Sequence, residues 1–159
     1  MDIRVGFGYD VHQLAEGKEL WLGGKLIPSE LGAVGHSDAD VLIHVICDAL
    51  LGAANLRDIG FHFPDTSADY KGIDSKILLR DVVKLLEEKG YSIGNVDSTV
   101  ALEKPKVNTH IDDMKAILAK ILKVDEDAVS IKATTSEKIG FVGRQEGIAA
   151  FATVLIRKL

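Results

Sequence analysis

Apolar residues recur at two different spacings along the chain, and each spacing predicts one kind of secondary structure. Over residues 38–54 they recur at helical spacing, as in a helix that buries one face. The same period predicts helices over about 75–89 and 111–122. Ser37, with Asp40 three residues further on, is predicted to cap the first of these helices.

Other segments have the patterns of β-strands. Alternating or short apolar runs predict strands at 2–9, 20–27, 95–103, 129–134 and 148–157. The Gly-Gly pair at 23 and 24 breaks the second of these by a turn or bulge. The predicted order is ββααβαββ. We therefore expect one α+β domain over residues 1–159, with helices packed on one face of a mixed sheet.

Composition narrows the class of protein. The chain has 159 residues, which suits one domain, and a formal net charge of −5 with no basic tract, which argues against nucleic-acid binding. No apolar run approaches the ~20 residues that span a bilayer, and the amino terminus lacks the pattern of a signal peptide. One cysteine, Cys47, excludes an intramolecular disulfide framework. We expect a cytoplasmic protein. The alternative is a plastid protein from which a transit peptide was removed, because its sequence would show the same pattern.

Asp10 and His12 lie two residues apart in a segment with the pattern of a strand. A period of two places both side chains on the same face, where an oxygen and a nitrogen suit a divalent metal, zinc first. Glycines at 6 and 8 would let another group approach this backbone closely. The Asp-x-His pattern is common by chance, so it becomes informative only together with the rest of the chain.

A second polar cluster surrounds the start of the first predicted helix. His36 and Ser37 can add donors to a helix N-terminus, which attracts phosphate. His44 follows about two turns later and is either a metal ligand or a core histidine bonded to Asp40 or Asp48. Cys47 is either a softer ligand or a small core residue.

Two further segments carry polar side chains in loops. Residues 57–65 are either a solvated turn or a functional segment, which would be a lid or a hydroxyl-binding loop. Residues 132–144 carry adjacent threonines and Arg144, which suit phosphate oxygens, and Glu137, which suits a hard cation such as Mg²⁺. The alternative for this segment is ordinary strand threonines and a surface ion pair.

In this order and spacing, the segments together resemble the 2-C-methyl-D-erythritol 2,4-cyclodiphosphate synthases of the non-mevalonate isoprenoid pathway. The matching stretches span nearly the whole chain and are 8–12, 36–41, 48–54, 58–60, 63–65, 132–137 and 140–147. The resemblance implies a homotrimer with an active site at each subunit interface. It also implies that Asp10, His12 and His44 bind Zn²⁺ or another divalent cation, and that Glu137 binds Mg²⁺ or Mn²⁺ with the substrate diphosphate.

The resemblance further implies a set of substrate-binding residues. Beside Asp10 and His12, the erythritol and phosphate groups would contact His36, Ser37, Asp58, Ile59, Gly60, Phe63, Pro64, Asp65, Thr66 and Ser67. The cytidine would contact Leu102, Glu103, Lys104, Pro105, Lys106, Val107 and Asn108, where the match is thinnest. The diphosphate and its surroundings would involve Thr134, Thr135, Ser136, Glu137, Phe141 and Arg144.

The implied reaction is an intramolecular attack of the substrate's own 2-phosphate on its β-phosphorus, with CMP leaving. His36 and Thr135 would stabilise the pentavalent transition state. A threefold channel, with Phe7, Tyr9 and Phe141 as candidate lining residues, would hold an isoprenoid diphosphate. The alternatives are a trimeric isoprenoid-diphosphate-binding module without turnover and a metal-dependent phosphohydrolase.

Overall fold

Two long strands form the centre of the sheet. In the computed structural model, which describes residues 2–159, β1 (Ile3–Glu16) pairs antiparallel with β7 (Gly147–Lys158). On the other side of β7 lies β5 (Tyr91–Ala101), which is antiparallel to β7 and parallel to β6 (Val129–Thr134). With β4 (Leu31–Ala33) at the edge, the order is β4-β1-β7-β5-β6, which confirms the mixed sheet.

A separate hairpin precedes the edge strand. β2 (Leu20–Leu22) and β3 (Lys25–Ile27) pair antiparallel around Gly23 and Gly24, whose φ angles are +59° and +81°. These left-handed angles favour glycine, so the predicted turn is confirmed. The three-residue β4 was not predicted, because it is too short for an alternating pattern to be visible.

Three longer helices lie on one side of the sheet, as predicted. α1 (Val41–Ala53) packs against β1 and β7, and α3 (Ser75–Glu88) packs against α1. α4 (Ile111–Leu122) contacts α3 and β6. Two four-residue helices, α2 (Ile59–His62) and α5 (Gly140–Gly143), interrupt segments predicted to be loops.

The predicted start of the first helix is wrong. Asp40, not Ser37, is the N-cap of α1, and its carboxylate accepts a hydrogen bond from the Ile43 amide at 3.0 Å. Ala39 has φ +60°, which is incompatible with a right-handed helix, so residues 37–39 lie outside α1. Asp40 also accepts from the amides of Gly23 and Gly24, which ties the β2–β3 turn to the start of α1.

The two faces of the β1–β7 ribbon have different surroundings. Even-numbered residues of β1 face α1, and the glycines among them, Gly6 and Gly8, are buried. The odd-numbered residues from Ile3 to Val11 are exposed although they are apolar, including Phe7 at 64% and Tyr9 at 49%. We call this second face, formed by Ile3, Val5, Phe7, Tyr9, Val11 and Phe151, the open face.

Among residues 2–159, no helix has both the length and the apolar character needed to cross a membrane. Cys47 is fully buried on α1, and this burial raises the pKa of its thiol well above its usual value. It is outside the cluster of metal-binding side chains described next, which favours its interpretation as a small core residue.

Candidate metal centre and active site

Asp10, His12 and His44 converge on one point. The distances are 3.0 Å from Asp10 Oδ2 to His12 Nε2, 3.1 Å from His12 Nε2 to His44 Nδ1 and 3.4 Å from His44 Nδ1 to Asp10 Oδ2. All three side chains are half-buried. One carboxylate oxygen and two imidazole nitrogens this close together can bind a single metal ion.

The local sequence explains why a strand and a helix meet here. Asp10 and His12 point to the same face of β1, and His44 reaches them from α1. A Cβ atom added to Gly6 or Gly8 would lie 1.9 Å from the Ala49 carbonyl oxygen or 2.3 Å from that of Val45. The helix therefore rests directly on the strand backbone, and this confirms the close approach predicted from the glycines.

The charges at this point suit a cation. Burial by itself would raise the pKa of the Asp10 carboxyl, but hydrogen bonds and charge from His12 and His44 hold that pKa well below its usual value. Burial lowers the pKa of His12, but the hydrogen bond and charge of Asp10 outweigh burial and raise it overall. The carboxylate is thus kept ionised beside two imidazoles.

The outer nitrogens of both imidazoles have partners of their own. His12 Nδ1 lies 3.2 Å from the Val34 carbonyl oxygen. His44 Nε2 lies 3.0 Å from Ser37 Oγ and 2.9 Å from Ser75 Oγ. These contacts leave His12 Nε2 and His44 Nδ1 facing Asp10.

Asp40 and Asp48, the aspartates that the sequence offered as hydrogen-bond partners of His44, bind other groups. Asp40 caps α1 and binds the turn at residues 23 and 24. Asp48 accepts a hydrogen bond from the Ile59 amide at 2.8 Å. Helical i, i+4 spacing suggested that each aspartate contacts His44. Instead, each carboxylate binds backbone amides that lack a partner within their own turn or helix end: those of Gly23, Gly24 and Ile43 for Asp40, and that of Ile59 for Asp48.

A cavity of about 440 Å³ opens beside the three converging side chains. Its walls include six further residues of the predicted substrate set, namely His36, Ser37, Ile59, Gly60, Phe63 and Asp65. Asp58, Pro64, Thr66 and Ser67 are nearby in sequence but do not line it. Gly35, Tyr70, Ile73 and Leu78 line it without having been predicted, because no motif marks them and only the fold brings them there.

The loop over residues 63–73 is attached to His36. His36 Nε2 lies 2.8 Å from the Ser67 carbonyl oxygen, and the Gly72 amide donates to the His36 carbonyl at 2.7 Å. The rings of Phe63 and Tyr70 meet edge to face with centroids 5.5 Å apart. This loop therefore forms an ordered wall of the cavity. It shares Phe63 and Asp65 with the segment 57–65, whose role as a lid or hydroxyl-binding loop stays a prediction.

The predicted cytidine and diphosphate segments form a second cavity of about 200 Å³. It is lined by Leu102, Glu103, Pro105, Lys106, Val107, Asn108, Ala133, Thr134 and Thr135. Lys104 lines a neighbouring cavity instead. Ser136 contributes its amide, which donates to Glu103 Oε1 at 2.7 Å and ties the two segments together.

The remaining predicted residues are exposed. Glu137 is exposed with φ +53°, and Arg144 pairs with Glu146 at 2.9 Å, as the ion-pair alternative proposed. Phe141 lies at the end of the open face, since a Cβ atom on Gly147 would be 3.0 Å from its ring. The two cavities share no lining residue, so a single subunit does not bring Thr135 to His36 within one cavity.

Comparison with known proteins by sequence and by structure finds the same class of protein. Residues 3–157 match the model of the YgbB family. The chain is 67% identical to the 2-C-methyl-D-erythritol 2,4-cyclodiphosphate synthase of Parabacteroides distasonis, over 100% of this chain and 99% of that protein. It is 62% identical to the synthase of the same name from Bacteroides fragilis, over 100% of both chains.

Solved structures of the same class superpose closely. The bifunctional IspDF from Campylobacter jejuni gives a TM-score of 0.96 at 39% identity, and the match covers 99% of this chain and 43% of that chain. A 2C-methyl-D-erythritol-2,4-cyclodiphosphate synthase in a form with bound CDP gives 0.90 at 36% identity, covering 97% of this chain and 100% of that chain.

Proposed function

We propose that this chain, which belongs to the YgbB family, catalyses the reaction for which its relatives are named. The substrate is 4-diphosphocytidyl-2-C-methyl-D-erythritol 2-phosphate, and the products are 2-C-methyl-D-erythritol 2,4-cyclodiphosphate and CMP. The observation that carries the proposal is the convergence of Asp10, His12 and His44 beside a cavity that also presents His36 and Ser37. We treat residues 1–159 as a single domain with this activity.

Zn²⁺ is the ion we propose for the centre formed by Asp10, His12 and His44. Two imidazoles and one carboxylate are a common donor set for catalytic zinc, which keeps a fourth position open. The bound ion would act as a Lewis acid on a phosphate oxygen. The contact of His12 Nδ1 with the Val34 carbonyl supports this assignment, since it leaves Nε2 free to coordinate.

Glu137 would hold a second cation, Mg²⁺ or Mn²⁺, which would neutralise negative charge on the substrate diphosphate. Thr134 and Thr135 lie just before Glu137 and are exposed. The Thr134 hydroxyl donates to the Thr135 carbonyl at 3.0 Å, whereas the Thr135 hydroxyl accepts from the Glu137 amide at 3.5 Å and so keeps its own proton for a phosphate oxygen. A hard divalent ion prefers carboxylate and phosphate oxygens, which fits this segment.

Replacing Glu137 by Gln tests this second site. We expect kcat to fall by about 10²-fold, the scale of losing one electrostatic stabiliser, while the zinc content stays unchanged. The control is Glu126→Gln, which removes an exposed carboxylate from the turn before β6. Normal turnover of Glu137→Gln at low Mg²⁺ would remove Glu137 from the mechanism.

Assembly as a homotrimer is proposed to complete each active site. The two cavities share no residue, so a substrate that fills both needs them brought together from two subunits. The open face supplies apolar area for such an assembly. In a trimer formed through this face, Phe7 and Tyr9 would surround the threefold axis with Phe141 at one end, and the channel's proposed ligand is an isoprenoid diphosphate.

The nucleotide is assigned to the second cavity. The CDP-bound structure of a relative supports a cytidine nucleotide as part of the substrate. The roles proposed for Leu102, Glu103, Lys104, Pro105, Lys106, Val107 and Asn108 are to hold the cytidine. Thr134, Thr135 and Ser136 would bind the diphosphate, with Phe141 and Arg144 beside it.

The chain's own residues would act mainly by positioning and charge neutralisation. The attacking and the attacked groups are both phosphates, which repel each other until they are neutralised and aligned. His36, with Ser37, would hold the phosphate end, and residues Asp58, Ile59, Gly60, Phe63, Pro64, Asp65, Thr66 and Ser67 would enclose the erythritol. His36 and Thr135 would stabilise the pentavalent transition state, and no protein nucleophile is required.

A product assay by ³¹P NMR tests the reaction against its alternatives. Cyclic diphosphate together with CMP supports the proposal. An open diphosphate or free phosphate would instead identify a metal-dependent phosphohydrolase. Binding of isoprenoid diphosphate without any turnover would identify a binding module.

A further inference from the structure

The outer edge of the His44 imidazole meets the start of α3. His44 Nε2 lies 2.9 Å from Ser75 Oγ, and Ser75 is the first residue of that helix. Ser75 is fully buried, although the helix does not need it as a cap, because Asp74 already accepts the hydrogen bond from the Lys76 amide. A buried hydroxyl at this position therefore calls for another explanation.

Ser75 is in turn held by Asp38. Ser75 Oγ lies 2.5 Å from Asp38 Oδ1, and the Ser75 amide donates to Asp38 Oδ2 at 3.0 Å. Asp38 Oδ1 also accepts from the Asp40 amide at 3.1 Å. The carboxylate is thus fixed by three donors from two segments, and it points at the hydroxyl that touches His44.

The direction of these hydrogen bonds follows from chemistry. A metal ion on His44 Nδ1 uses the lone pair of that nitrogen, so the ring proton must be on Nε2. Nε2–H then donates to Ser75 Oγ, and the single hydroxyl proton of Ser75 donates to the carboxylate of Asp38, which can only accept. With Asp38 ionised and the ring proton on Nε2, this assignment satisfies both contacts.

We propose that Ser75 and Asp38 are positioning residues that fix the tautomer and orientation of His44 for metal binding. The inference rests on the proposed role of Asp10, His12 and His44 as metal ligands. Two serines contact His44, and they have different roles under this inference. Ser37 Oγ also accepts from the Ala39 amide at 3.2 Å and lines the cavity, so its proton can face the substrate. Ser75 is buried, and its hydroxyl joins His44 to Asp38.

The test compares two buried serines in the same chain. Ser75→Ala removes the acceptor that Asp38 holds in place for His44 Nε2 and leaves Ser37 Oγ, 3.0 Å from the same nitrogen. The variant is expected to weaken Zn²⁺ affinity by about 10- to 100-fold. Ser98→Ala is the matched control, because Ser98 is also buried and donates to a backbone carbonyl, that of Ser130, at 2.9 Å. Affinity is measured on metal-free protein by competition with a chelator, and unfolding midpoints are measured alongside.

Each outcome decides the inference. Weaker zinc binding in Ser75→Ala but not in Ser98→Ala, with activity restored by added Zn²⁺, supports it. Equal zinc affinity in the two variants overturns it and leaves the proposed reaction standing. If Ser75→Ala does not fold, Asp38→Asn decides, since it keeps the Ser75 hydroxyl and removes the charge that holds it. A wild-type protein that forms product without binding Zn²⁺ overturns both this inference and the proposed zinc centre.

Discussion

The two faces of the β1–β7 ribbon differ in a way that reverses the usual expectation for a strand. The face covered by α1 carries the smallest side chains, with Gly6 and Gly8 in β1 and Ala152 opposite Gly8 in β7. The open face carries the largest, with Phe7 beside Thr153 and Tyr9 beside Phe151. Size therefore does not mark which face is the core in this ribbon.

The size of the side chains on each face of the ribbon matches what that face contacts. On the covered face, small residues let the helix backbone approach so closely that His44 reaches Asp10 and His12. On the open face, large apolar side chains remain exposed, which is costly for an isolated chain and typical of an interface. The proposed metal centre is located on one side, and the surface proposed for assembly on the other.

The largest effect is expected from the covered face at the metal centre. His44→Ala should remove bound zinc and lower kcat by about 10³-fold, because a Lewis acid contributes several kcal/mol to stabilising transition-state charge. Metal analysis by mass spectrometry, with steady-state kinetics, measures both. Full zinc content in this variant would refute the assignment of His44 as a ligand.

The next effect tests the open face. Phe7→Ser should split the assembly and abolish activity at working concentrations, while the unfolding of the isolated chain changes little, since Phe7 is 64% exposed. Light scattering measures the mass. Ile77→Ser, at a residue on α3 that is 43% exposed, serves as the control and should leave the assembly intact. A fully active monomer would contradict the shared site.

A smaller effect comes from adding one methyl group to the covered face. Gly8→Ala should cost about 1–3 kcal/mol of unfolding free energy, because its Cβ would overlap the Val45 carbonyl and push α1 away. Zinc affinity should fall with it. Gly52→Ala is the control, since nothing lies within 4 Å of its Cβ, and it should stabilise the helix by about 0.5–1 kcal/mol. Chemical denaturation measures both variants.

The smallest effect concerns the pH dependence of stability. Burial raises the pKa of Asp48, and the negative charges of Asp10 and Asp58 add to this. The folded state therefore holds the proton of the Asp48 carboxyl more tightly than the unfolded state does. As a result, the free energy of unfolding falls as pH rises from the usual carboxyl pKa through the raised pKa of Asp48. Asp48→Asn keeps an acceptor for the Ile59 amide, and it removes the loss of stability that ionisation of Asp48 causes at higher pH.

Urea denaturation at several pH values between 4.5 and 7 checks this prediction. The curve for Asp48→Asn should be flatter than that of the wild type, by about 1 kcal/mol or less, the common size of a single-residue change. Asp81→Asn, on the exposed side of α3, is the control. A steeper curve for Asp48→Asn would show that the carboxylate stabilises the fold at neutral pH.

Several features followed from the sequence because short-range geometry determines them. The period of two fixed Asp10 and His12 on one side of β1, and helical spacing located α3 and α4 to within a residue or two. The Gly-Gly turn of the β2–β3 hairpin was also predicted, because positive φ angles favour glycine. These properties depend on neighbours a few residues away.

Only the tertiary structure decided the rest, because it depends on segments distant in sequence. The left-handed Ala39 moves the start of α1 to Val41, so that Asp40 caps α1 and also binds the β2–β3 turn. The contact between His44 and Ser75 joins two helices, which no local pattern indicates. The glycines predicted a close approach to β1, but only the tertiary structure decided that the approaching group is α1, which begins 33 residues after Gly8 at Val41.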